Sequence, residues 1–216
     1  MRGFYPGAKI FEMDSDSVLN EKAGKKIAEE FLSGGGILVG TEMIFSYINR
    51  PVDRVAAISV DGLFTLPEFK INEKVFHLLL KLKSLAKKSF IIQTRFPELP
   101  IFDNVLRGNI SGFYKEEIES RKIFQYPPFK LLIKITKEGK NENQLNKEIE
   151  ALQKILDEWK PINYPAFIPK IKNLYIKHIL LKIDPASWPT GQEKLYRILS
   201  SLPPSYKVDI GPESLL

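Results

Sequence analysis

The 216-residue sequence contains no cysteine, only two histidines and two tryptophans, and no apolar run near the ~20 residues that span a bilayer. Without cysteine there is no disulfide and no thiolate zinc site within these residues, and a reducing cytosol is the compartment that fits. Two histidines alone make a poor metal-ligand set, so no metal is expected. The opening MRGFYPGAKIFEMDSD lacks the charged stretch, apolar core and cleavage site of a leader peptide. A cytoplasmic protein with no membrane partner is therefore expected. The G-x-x-x-x-G-K-[ST] phosphate cradle is also missing.

What is present has a globular composition, 44% hydrophobic and 27% charged. Lysine and arginine number 32 against 26 acidic residues, for a net charge of +6. The surplus is uneven, with 15 basic and 13 acidic side chains over residues 1–110, and 17 and 13 over 111–216. Such a balance suits a nucleic-acid partner without requiring one.

Short apolar strands alternate with helical stripes in the first half. Strands are expected at Ala8–Met13, Ile37–Val39, Val55–Val60 and Phe90–Ile92, with helices over 19–32 and 71–86. Gly34-Gly35-Gly36 should end the first helix, since glycine readily takes the positive φ of a helix C-terminus. This alternation predicts an α/β fold with a parallel sheet. Further helices are expected at 102–106 and 111–124, the latter capped by Ser111. The adjacent prolines of Tyr126-Pro127-Pro128-Phe129 place a boundary there. Beyond it, elements at 129–136, 142–159, 166–171, 175–183, 191–202 and 206–210 give the order β-α-β-β-α-β, a ferredoxin-like α+β domain.

Five segments in order carry a family resemblance. They are Pro6-Gly7-Ala8-Lys9-Ile10 with Met13-Asp14-Ser15-Asp16, then Ile37 to Ile44 (ILVGTEMI), then Leu66-Pro67-Glu68-Phe69-Lys70 with Phe76-His77-Leu78-Leu79. Phe113-Tyr114-Lys115-Glu116-Glu117 with Arg121 and Tyr126-Pro127-Pro128-Phe129 follow, and Val208 to Leu216 (VDIGPESLL) closes the series. Together they resemble the C-terminal portion of the PriA family of replication-restart helicases (primosomal protein N′). The resemblance implies a RecA-like second helicase lobe over 1–110, a connecting helix and Tyr-Pro-Pro linker over 111–128, and a DNA-binding C-terminal domain over 129–216. It implies an ATP-dependent 3′-5′ DNA helicase as the whole. The ATP, magnesium and zinc sites of that whole would belong to N-terminal parts preceding these residues, so no cofactor is expected in this chain.

Within the second lobe the family's nucleotide motifs are eroded. The segment resembling motif V keeps Gly40 and Thr41, but Ser46-Tyr47 stands for its Lys-Gly and Asn49 for its Asp. Aligned without a gap from Phe76, motif VI falls on Lys81 to Lys88, so its two arginines become Leu85 and Lys88. Lysine does not replace a bidentate guanidinium at a phosphate. Catalytic residues are therefore expected to be none, and ATPase or helicase activity is not expected of this chain alone. The Lys81–Lys88 cluster reads either as a phosphate contact or as a basic helix end facing the helix dipole.

The candidate DNA surface is Lys170 to His178. Lys170 and Lys172 should share a strand face, with Asn173-Leu174 as the hairpin tip. Lys170, Lys172 and Lys177 would attract phosphates and Tyr175 would stack on an unpaired base, against the alternative of an ordinary charged hairpin. The family is richer in arginine here, with arginines at the positions of Leu174 and Ile176 and a tryptophan at that of Lys177. Asp14 and Asp16 read as an Asx-type turn, Trp159 and Trp188 as core anchors, and Glu116/Glu117 as a solvated helix face.

The expectation is thus the DNA-binding portion of a PriA-like helicase, taking forked or single-stranded DNA, with primosome or single-strand-binding proteins as further partners. One alternative is a standalone, ATP-independent module binding DNA or a replisome protein. Another is an unrelated α/β enzyme.

Overall fold

A computed structural model describes residues 7–216. Pro6, which opens the first of the five matched segments, lies outside the described residues. The chain divides into two compact units, one comprising residues up to Asp61 with Val75–Glu98, the other Gly62–Lys74 with Leu99–Leu216. The expected α/β class holds, with parallel strand pairs in the first unit and an antiparallel sheet in the second. None of the helices among the described residues is long and apolar enough to cross a membrane.

In the first unit, β1 (Ile10–Met13) pairs in parallel with β2 (Ile37–Gly40) through α1 (Glu21–Gly34). Asn20 caps α1 by accepting the Ala23 N–H at 2.9 Å, satisfying a donor the first turn leaves free. Gly35, at φ 69°, ends it and donates to the Phe31 carbonyl. Ala28 and the apolar Ile27, Phe31 and Leu32 pack on a cluster around the fully buried Met13. Second in the unit is the parallel pair β3 (Val52–Ala57) and β4 (Ala86–Ile92). Its crossover includes α2 (Ile71–Ser84), which buries Val75, Phe76, Leu79 and Leu82 at helical spacing. The two pairs form separate two-stranded ladders instead of the single open sheet expected.

Helix α2 stops at Ser84, and Lys87 and Lys88 lie on β4. The basic helix end read over Lys81–Lys88 therefore holds only for Lys81 and Lys83. Leu85 sits in the tight turn, its carbonyl accepting the Val52 N–H at 2.8 Å, which starts the β3–β4 pairing there.

The second unit opens with α3 (Pro100–Arg107), ended by Gly108 in the left-handed region, and α4 (Ile110–Ile123). The α4 cap is Asn109, whose side chain accepts the Gly112 N–H, and not Ser111 as expected. A carboxamide two residues earlier reaches the same free donors. There follow β5 (Leu131–Gly139), α5 (Glu142–Ile155), β6 (Ile162–Ile171), β7 (Leu174–Ile183), α6 (Glu193–Ser200) and β8 (Tyr206–Ile210). The four strands form an antiparallel sheet ordered β6-β7-β5-β8.

Period-two alternation sends the strands' apolar residues to both faces of this sheet. On one face Ile133, Ile135, Ile179, Leu181 and Ile183 pack with Leu145, Ile149 and Leu152 of α5 and Leu195 and Leu199 of α6. Each such fully buried aliphatic side chain stabilises the fold by about 1.5–3 kcal/mol. On the other face Leu132 and Leu180 are covered by Leu215, Phe69, Tyr126 and Tyr164.

That second face is where three of the sequence motifs meet. Glu68 of Leu66–Lys70 accepts the Phe69 and Leu215 N–H groups, and Lys70 pairs with Glu213 at 2.9 Å. Phe69 lies against the Tyr126 ring at 5.3 Å between centroids, and Lys182 stands over the same ring at 4.3 Å. Lys134 donates to the main-chain oxygens of Ser214 and Leu216, both at 2.9 Å, while the Tyr164 hydroxyl donates to that of Leu215. Residues 213–216 are thus strapped to the sheet by side chains from three distant stretches of sequence. Burial and the neighbouring Glu68 charge push the Tyr164 hydroxyl up to about 12.

Candidate nucleic-acid interface

The hairpin of β6 and β7 turns on Lys172 and Asn173, both at positive φ (47° and 65°), with Ile171 facing Leu174. Positive φ at both central residues is what a two-residue hairpin turn matching the strand twist requires. The tip is therefore Lys172-Asn173, one residue earlier than expected. Lys172 sits at the turn and does not share a strand face with Lys170. Asn173 marks the turn, but without a glycine the segment does not say whether its partner there is Lys172 or Leu174.

Lys170 faces Tyr175 directly across the ladder, so the two share a face, and Lys177 joins them two residues along. The Lys170 ammonium stands over the Tyr175 ring at 4.8 Å. Tyr175 is half-buried and packs against the main core. Lys177 lies opposite Lys137 of β5, a buried lysine paired with Glu148 at 3.1 Å. Glu138 is opposite Ile176 and so points to the other face.

From Trp159 to Ile183 the chain has no acidic residue and carries Lys160, Lys170, Lys172, Lys177 and Lys182. Lys182 is held by the Phe124 carbonyl at 2.6 Å, whereas Lys160, Lys170 and Lys172 are exposed. Along the edge strand β6 the register shifts between Pro165 and Lys170. Phe167 and Ile168 stand within that stretch, 52% and 56% exposed. Phe167 is not among the residues the sequence points to, although it is an aromatic flanked by Pro165 and Pro169 in a lysine-bearing stretch free of acids.

In the first unit, Gly40 ends β2 where a side chain has no room. A Cβ there would run into the Met13 carbonyl oxygen and the Ile44 Cγ2. Thr41 donates its N–H to Met13 and makes no side-chain cap to the turn that follows. Leu85 packs against the Met13 cluster. Lys88 forms an ion pair with Asp53 on the neighbouring strand, and that hydrogen bond holds the Asp53 carboxyl below its usual range.

Asp14 accepts the Asp16 and Ser17 N–H groups at 3.1 and 2.8 Å, the Asx turn expected, and the Ser17 bonds hold its carboxyl below the usual range. Trp159 and Trp188 pack against the main core, with the Trp159 indole donating to Gln192 at 2.7 Å. Glu117 departs from the solvated face expected of it. It is buried and pairs with Arg121 at 2.8 Å, which also binds Glu73 at 2.6 Å, because this side of α4 turns inward. His178 is buried too, with Nδ1 at 2.9 Å from the Thr136 hydroxyl. Burial first, and the Lys134 charge second, push its imidazole down to about 4.

No family model matches the chain. Among curated proteins it is similar to replication restart protein PriA of Chlamydia trachomatis, 29% identical over 165 residues, covering 73% of this chain and 22% of that protein. PriA of Thermotoga maritima is 27% identical over 193 residues, covering 85% of this chain and 26% of the relative. PriA of a Synechocystis species is 26% identical over 224 residues, covering 98% and 27%. The chain spans about a quarter of the length of these relatives. The resemblance to the C-terminal portion of PriA proteins carried by the five segments is borne out.

Proposed function

We propose that this chain is the DNA-binding portion of a PriA-like replication-restart protein, without ATPase or helicase activity of its own. The observation that carries the reading is the β6–β7 hairpin. It holds Lys170 and Lys177 on one face and Lys172 at its tip, in a stretch of 25 residues from 159 to 183 without an acid. Lysines so placed neutralise phosphates regardless of base sequence. Tyr175 forms the floor under Lys170. Forked or single-stranded DNA is the ligand, with primosome or single-strand-binding proteins as further partners, in the cytoplasm.

In this reading residues 1–110 form a degenerate RecA-like second lobe, 111–128 the connection and 129–216 a ferredoxin-like DNA-binding domain. The β-α-β-β-α-β order and the β6-β7-β5-β8 arrangement support the last assignment. Leu85 packed against the Met13 cluster and Lys88 tied to Asp53 support loss of nucleotide chemistry, because neither offers a free guanidinium to a phosphate. The same two residues favour the second reading, a standalone module that binds DNA or a replisome protein without ATP.

Fluorescence anisotropy with labelled forked DNA tests the proposal. The chain should bind at low salt, with affinity falling steeply as salt rises, and should show no DNA-stimulated ATP turnover. Failure to bind any DNA at low salt would overturn it.

A further inference from the structure

We infer that Phe167 is a stacking platform for an unpaired base, so that the hairpin prefers single-stranded nucleic acid to duplex. The inference rests on the DNA-binding reading above and specifies what that surface takes. Phe167 is 52% exposed on β6, the edge strand of its sheet, where the ladder to β7 loses register between Pro165 and Lys170. Pro165 and Pro169 bracket it, and neither can donate a ladder hydrogen bond.

Phe167 thus leaves about half of a large aromatic side chain in water on an edge strand. Ile168 and Ile171 of the same strand are 56% and 45% exposed. The surrounding charge selects the occupant. Lys170 and Lys172 are exposed at the turn end of the hairpin, within a stretch from 159 to 183 that has no acid, so the partner is polyanionic. Phosphates beside an apolar, π-faced group describe an unpaired strand. In a duplex the base faces are hidden in the stack, and only the backbone would meet the lysines. Of the hairpin's other aromatics, Tyr175 is half-buried against the core with Lys170 over its ring and Tyr164 packs on Leu132 and Leu180, which leaves Phe167 as the accessible ring.

The test measures the full chain on oligo(dT) and on a blunt duplex, comparing wild type with Phe167→Ala, Phe167→Leu and Phe167→Trp. Phe167→Ala should weaken oligo(dT) binding about tenfold and leave duplex binding within about twofold. Phe167→Leu should behave like the alanine variant, because stacking needs the ring. Phe167→Trp should restore binding, and its fluorescence should be quenched as oligo(dT) is added. Unchanged oligo(dT) binding by Phe167→Ala would overturn the inference while leaving the DNA-binding reading standing. Equal losses on both DNAs, or full rescue by leucine, would overturn it equally. A wild-type chain that binds neither DNA removes the underlying reading as well.

Discussion

Gly40 shows how one position in an eroded nucleotide motif is still required by packing. The Met13 carbonyl and Ile44 occupy the space a Cβ would need, and the Met13 backbone cannot step aside without disturbing β1. Gly40→Ala should destabilise the protein by about 1–3 kcal/mol, read as a lowered denaturant midpoint. Gly34→Ala makes the control, since nothing lies within 4 Å of a Cβ there; its effect should stay within about 0.5 kcal/mol. His178 provides a second test at this scale. Its folded pKa of about 4 is below the ordinary 6.5, so the unfolded chain takes up a proton first as pH falls. The stability attached to the neutral imidazole is complete above pH 6.5 and lost between there and pH 4, on the order of 3 kcal/mol. Replacing His178 by Phe should flatten that part of the stability-against-pH curve, as measured by urea unfolding at pH 7 and pH 4.5.

Among the elements, those with a clear apolar period were legible. Helix α5 buries Leu145, Ile149 and Leu152 at the spacing its sequence displays, and β5 and β7 follow their alternation. Ends were less legible. Lys87 and Lys88 continue a basic run begun on α2, so composition alone extends the helix into what is strand β4. The hairpin tip was displaced by one residue because lysine adopts the positive φ usually marked by glycine or asparagine. Least legible was the strap over the second sheet face. Glu68 and Leu215 stand 147 residues apart, and no local period connects them. Their motifs were visible as a family likeness, while their contact was not. The strap also yields a prediction. Leu215→Ala should cost about 2–5 kcal/mol, more than removal of the exposed Lys70–Glu213 pair by Glu213→Ala, worth at most about 1 kcal/mol. Thermal unfolding of the two variants separates these effects.

For the whole molecule, the second unit is not a simple C-terminal piece. Residues 62–74 belong to it, and Phe69 with Tyr126 covers Leu132 and Leu180. A protein cut down to residues 129–216 would expose that face, and should unfold at lower denaturant than the full chain while binding an apolar dye. At the same scale lies the proposal that the β6–β7 hairpin gives the chain a nucleic-acid surface. The similarity to PriA proteins and the lysine-bearing stretch free of acids support it. The most direct measurement is the salt dependence of forked-DNA affinity for the wild type and for the variant with Lys170, Lys172 and Lys177 all replaced by alanine. If the hairpin binds DNA, the slope of log K against log salt becomes shallower by about two to three units, roughly 0.7–0.9 per lost phosphate contact. An unchanged slope with unchanged affinity would contradict it.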